Sequence, residues 1–146
     1  MNISSYMKEE HRECDVYFAK AEEAVAKDDW ETAVSQFEIF ADETLTHFKK
    51  EEEELFPAFE KQTGSTEGPT RVMIYEHEQV KGLIGKMAEA LLDKDKDAYL
   101  SLAESMMILL QQHNMKEEQM LYAMCDRILP ADIRETTLEA MKNTKL

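Results

Sequence analysis

The chain has 146 residues, 31 acidic and 17 basic, for a net charge of −14. That length holds one ordinary core, and the charge argues against nucleic acid or an anionic membrane as a partner. No apolar run approaches the roughly 20 residues that span a bilayer, the N-terminal MNISSYMKEEHREC is too polar for a signal peptide, and the two cysteines lack a C-x-x-C spacing.

The expected setting is therefore cytoplasmic, with Cys14 and Cys125 as reduced thiols, although a Cys14–Cys125 pair stays open. Leu, Ala, Met, Glu and Lys are abundant while Gly (4) and Pro (3) are scarce, which favours an all-helical chain. The first predicted helix runs from about Ser5 to Lys27, capped by Ser4 or Ser5, with Met7, His11, Phe18, Ala21 and Val25 at helical spacing. Asp29 reads as the cap of a second, long helix from Trp30 to about Lys61, with Phe37, Phe40, Thr44, His47, Glu51, Leu55 and Ala58 on one face. Pro57 lies inside it and predicts a kink or an early end. The stretch TGSTEGP, Thr63–Pro69, reads as a loop.

A third helix opens near Pro69 and carries Met73, His77, Val80, Ile84, Ala88 and Leu91. After the Lys94–Asp97 break, a fourth runs to about Ile128, with Leu102, Met106, Leu109, His113, Glu117, Met120 or Leu121, and Met124 facing inward. Pro130 suits the first turn of a short terminal helix, Ala131–Met141, expected to pack outside the main group. Four long helices with short connections predict an all-α, up-down-up-down four-helix bundle, one domain over residues 1–146.

The segment HFKKEEEELF, His47–Phe56, returns 66 residues later as HNMKEEQMLY, His113–Tyr122. Both read H-x-x-K-E-E-x-x-L-aromatic. The same shift superposes His11 on His77, Glu10 on Glu76 and Met7 on Met73, so all four histidines of the chain sit on an internal repeat with units of about 1–63 and 67–130. In a helix, residues i and i+4 lie about 40° apart and about 6 Å along the axis. His47 with Glu51, and His113 with Glu117, can therefore aim an imidazole and a carboxylate at one point. His11 and His77 add one imidazole each, giving four nitrogen donors and two carboxylates from four helices. Divided evenly, each of two metals takes two histidines and shares both glutamates; iron, zinc and manganese all stay open on ligand type alone. Glu10 and Glu76, which precede histidines, are expected either to face solvent or to hydrogen-bond a ring nitrogen from behind, and Glu54 is a further candidate near the site. The other glutamates around Glu51 and Glu117 read as solvated acidic runs.

These residues resemble the haemerythrin-like HHE cation-binding family from about His11 to Tyr122, and ELFP at Glu54–Pro57 resembles its second helix. The closer resemblance is to the four-histidine, two-glutamate bacterial iron-centre repair type. The resemblance implies a non-haem, oxo- or hydroxo-bridged centre of two iron ions on His11, His47, Glu51, His77, His113 and Glu117. It implies dioxygen, peroxide or nitric oxide as small-molecule partners. The expected role is iron, redox or nitrosative and oxidative stress handling; the alternative is a dioxygen- or nitric-oxide-binding sensor or store. Oxygen-carrying haemerythrins have an H-x-x-x-H pair in the third helix, whereas Met73 and Lys81 flank His77 here. The expectation is two near-equivalent irons and no reversible oxygen carriage.

Overall fold

A computed structural model describes residues 2–146, and among these every regular element is helical. Helix α1, Ile3–Ala26, does not start on its serines: Asn2 is the cap, its side chain accepting from the Ser5 amide. The carboxylate of Asp126 also takes the Ile3 and Ser4 amides at 2.8 and 3.0 Å, tying the start of the chain to its C-terminal third. Two orphan amides of the first turn thus find a partner distant in sequence.

Asp29 caps α2, Trp30–Lys50, through the Thr32 amide, and Asp95 caps α5, Lys96–Lys116, through the Ala98 amide. The residue before each cap, Asp28 or Lys94, takes left-handed backbone at φ 59° or 51°. The repeat therefore reaches into the connections. Between these pairs, Gly64 at φ 75° ends α3, Phe56–Thr63, and Pro69 opens α4, Pro69–Leu92.

The irregularity expected at Pro57 lies upstream of it. Glu51–Leu55 forms a π-helical turn in which the Phe56 amide donates to the Glu51 carbonyl, five residues back. Glu117–Leu121 forms the same turn before α6, Tyr122–Ile128, where the Tyr122 amide donates to the Glu117 carbonyl. The second copy has Ala123 where the first has Pro57. Proline is thus not the cause; the turn follows the glutamate at which it begins. Each turn ends on two buried side chains, Leu55 with Phe56 and Leu121 with Tyr122, and its wider period brings the aromatic residue back over the face of the glutamate five positions earlier.

The long helices pack in a closed ring, α1 on α2, α2 on α4, α4 on α5 and α5 on α1. Two apolar layers fill it. One holds Phe18, Phe37, Phe40, Phe48, Val80, Ile84, Met87, Tyr99 and Met106. The other holds Ile3, Met7, Leu55, Phe56, Met73, Leu121, Tyr122 and Cys125. Along α5 the predicted inward leucines were one position off: Ala103 and Leu110 are buried, and Leu102 and Leu109 half-buried; beyond it, of the alternatives Met120 and Leu121, Leu121 is buried and Met120 exposed. The last helix, α7, Ala131–Lys142, does not pack outside the main group. It lies on the Glu51–Leu55 turn and buries Leu138 and Met141 in the second layer, closing that end of the bundle.

Candidate metal centre

Between the two apolar layers lies a polar one. His11, His47, Glu51, His77, His113 and Glu117 are all buried, the four histidines coming from four different helices and the two glutamates from the turns that follow α2 and α5. The six residues singled out from the sequence come together as one cluster. Glu117 Oε1 is 3.2 Å from His11 Nε2 and 3.3 Å from His113 Nε2. Glu51 Oε1 is 3.0 Å from His77 Nε2 and 3.6 Å from His47 Nε2. Each carboxylate therefore stands between an imidazole of the first repeat unit and one of the second.

Every imidazole is held from behind by a carboxylate. His11 Nδ1 meets Glu118 at 2.7 Å and His77 Nδ1 meets Glu52 at 2.6 Å. His47 Nδ1 meets Glu10 at 2.8 Å and His113 Nδ1 meets Glu76 at 2.7 Å. Lys50 and Lys116 pair with Glu10 and Glu76, and Lys81 lies 4.0 Å from Glu52. The Glu10 and Glu76 contacts match the reading from sequence. Glu52 and Glu118 were read as solvated acids; their one signal was position, each next to a ligand-candidate glutamate and one repeat apart. The structure gives Glu54 no partner at the site.

This arrangement assigns the ring protons. Each Nδ1–H donates to its glutamate, leaving each Nε2 with a lone pair directed inward. His11 Nε2 and His47 Nε2 then face each other at 3.1 Å. His77 Nε2, His113 Nε2, Glu51 Oε1 and Glu117 Oε2 are buried without a hydrogen-bond partner. Buried acceptors facing acceptors are costly unless something positive lies among them. A cation is that partner, and the geometry offers two groups for one: Glu51, His77, His113 and Glu117, and His11, His47 and Glu117.

The electrostatics follow from burial and these contacts. Burial raises Glu51 well above the usual carboxylate range, with the charge of Glu117 adding to it. Burial would raise Glu117 too, but its hydrogen bond with Glu51 and the charges of the imidazoles hold it well below. Burial lowers His47 to about 4 against the hydrogen bond to Glu10, and lowers His77 against Glu52. In His11 and His113 burial is outweighed by Glu117 together with Glu118 or Glu76, and both are raised. Both cysteines are free, and burial pushes their thiols up to about 12, the inert state of a small buried hydrophobe.

Burial would also raise Glu10, but hydrogen bonds from His47 and Lys50 bring it down to about 2. Its folded value lies below the ordinary 4.5, so the unfolded chain takes up the proton first as pH falls. The stability this carboxylate contributes is complete above pH 4.5 and is lost as pH drops toward 2. In the metal-free protein, Glu10→Gln should flatten the fall in melting temperature across that window. An unchanged slope would mean that His47 and Lys50 do not hold the carboxylate.

The two halves differ in their apolar surroundings. Phe48 stacks on His77 with ring centroids 3.8 Å apart, and Phe56 flanks the same ring at 5.9 Å. One repeat away those positions are Asn114 and Tyr122. Beside His11 and His47 a cavity of about 20 Å³ is lined by Cys14, Thr44 and Asn114 as well. It shares Asp15, Leu110 and Asn114 with a groove of about 580 Å³ between α1 and α5.

A helix bundle with a buried, doubly bridging imidazole–carboxylate layer defines a cation-binding helical protein. The chain belongs to the Hemerythrin HHE cation binding domain family, which matches residues 2–125 and ends before α7. No curated protein and no solved structure matches it. No helix among the described residues is long and apolar enough to cross a membrane.

Proposed function

We propose that the centre holds two iron ions and that the protein handles iron, redox or nitrosative and oxidative stress through them. In this reading His11 and His47 hold one ion, His77 and His113 hold the other, and Glu51 and Glu117 serve both. The observation that supports it is the position of each glutamate between imidazoles of opposite repeat units, with Glu51 Oε1, His77 Nε2 and His113 Nε2 left unpartnered. Four imidazoles and two carboxylates suit iron, and the donors fall into two groups, each able to hold a cation. The same reading takes residues 1–146 as one domain of two repeat units in up-down-up-down order; the closed ring of helix contacts supports it. It places the centre nearest the four-histidine, two-glutamate repair type.

Bound iron supplies one-electron exchange and Lewis acidity toward a small ligand. The chain's own residues prepare the site for it. Glu10, Glu52, Glu76 and Glu118 fix each ring's tautomer and raise its donor strength, and Lys50 and Lys116 neutralise two of those carboxylates. The phenylalanines around His77 keep water from that half.

A second reading, a dioxygen- or nitric-oxide-binding sensor or store, is favoured by the cavity of about 20 Å³ beside His11 and His47. That volume is close to one water-sized ligand. Metal analysis with electronic spectra tests the first reading: about two irons per chain and near-ultraviolet absorption are expected. A colourless protein holding zinc alone would overturn it. Transfer of iron to an apo-acceptor separates a donor from a sensor.

A further inference from the structure

The repeat motif ends on an aromatic residue, Phe56 in one copy and Tyr122 in the other, and only the second carries a hydroxyl. The two rings occupy equivalent places. Phe56 lies 5.9 Å from the His77 ring and Tyr122 lies 5.7 Å from the His11 ring. Both are delivered by the π-helical turn, which wraps residue i+5 onto the face of its glutamate.

The Tyr122 hydroxyl is fully buried inside the donor cluster. It lies 2.7 Å from Glu51 Oε2, 2.9 Å from Glu117 Oε1, 3.2 Å from His11 Nε2 and 3.3 Å from His47 Nε2. Both carboxylates accept from it, and in the neutral rings, whose Nδ1–H groups donate to Glu118 and Glu10, both Nε2 atoms present lone pairs to it as well. One hydroxyl proton serves at most one or two of them. An oxygen set among two imidazole lone pairs and two carboxylates is placed as a ligand is placed, around a common cation.

Resting on the di-iron reading above, we infer that Tyr122 is a seventh protein ligand, binding as phenolate to the ferric ion on the His11–His47 side. On ligation the O–H bond breaks, the oxygen binds the metal, and the proton leaves to solvent; no oxidant or reductant is consumed in this step. Phenolate is a hard anionic donor that suits ferric iron better than ferrous. The two metal positions are then inequivalent, although the repeat alone makes them alike. The oxidised state is favoured at the tyrosine side, so Tyr122→Phe raises the midpoint potential.

The test uses iron-loaded, air-oxidised full-length protein, with iron counted by metal analysis. Wild type should show a visible phenolate-to-iron band and tyrosine ring modes enhanced in resonance Raman at that wavelength. Tyr122→Phe should lose the band while keeping its iron, and Phe56→Tyr should gain a second contribution to it. Wild type with full iron but no tyrosine-enhanced modes overturns the inference, whether or not the variants fold. So does a band that persists in Tyr122→Phe, since the hydroxyl would then be only a hydrogen-bond donor to Glu51. Wild type that takes up no iron overturns the di-iron reading and the ligand with it.

Discussion

Glu117→Ala should strip metal from both halves of the centre at once, taking bound iron from about two per chain to near zero. Glu117 Oε1 touches His11 of one half and His113 of the other, and Glu117 belongs to both groups able to hold a cation. His11→Ala or His77→Ala removes a donor from one half only and should leave about one ion. Glu51→Ala should fall between, since its contact with His47 is the longer at 3.6 Å. Metal content by mass spectrometry, with iron per folded chain as the readout, decides it. Stoichiometry insensitive to all six residues would sink the assignment. Glu117→Ala should also destabilise the metal-free protein, because Glu51 and the imidazoles of His11 and His113 hold Glu117 as a carboxylate, and removing one partner of such a buried group costs on the order of 3–5 kcal/mol. Circular dichroism of each variant, beside its iron count, separates loss of ligand from loss of fold.

Removing metal from the wild type should lower its melting temperature, and adding it back should restore it. Without a cation, Glu51 Oε1, Glu117 Oε2, His77 Nε2 and His113 Nε2 are buried and unpartnered, each a desolvation cost on the order of 1–3 kcal/mol. A ligand that binds only the folded chain stabilises it by about 2.7 kcal/mol at about 100 times its Kd. For a chain of this size that is on the order of 8 °C. Differential scanning calorimetry across an iron titration measures the shift. An unchanged melting temperature would mean that the six side chains do not close on a metal. The apolar layers on either side should keep the metal-free bundle folded, because Phe40, Met87, Met106 and Tyr99 are packed independently of the centre.

The helical class, the four long elements, the 66-residue repeat and the six candidate ligands were all legible in the sequence. The reason is physical: a helix converts spacing into direction, so His47–Glu51 and His113–Glu117 at i,i+4 had to share a stripe, and polar residues on an apolar stripe stand out. The short-range caps at Asp29 and Asp95 were equally local.

What lay beyond the sequence depended on contacts between elements or on a change of helical period. Asp126 capping α1, α7 closing the end of the bundle, and Glu52 and Glu118 holding rings on other helices each join residues remote in the chain. Within acidic runs such as Glu51–Glu54, four identical side chains point in four directions, and only the packed neighbour distinguishes them. Tyr122 is the sharpest case. Counted at 3.6 residues per turn, the fifth residue after Glu117 points well away from it, so an α-helical reading puts Tyr122 off the site. The π-helical turn at Glu117–Leu121 adds one residue to the turn and swings the phenol under the glutamate. The sequence by itself determined which donors face inward; the tertiary structure decided what holds them from behind and which further side chain joins them, because a one-residue change of helical register leaves no mark in the spacing of the motif.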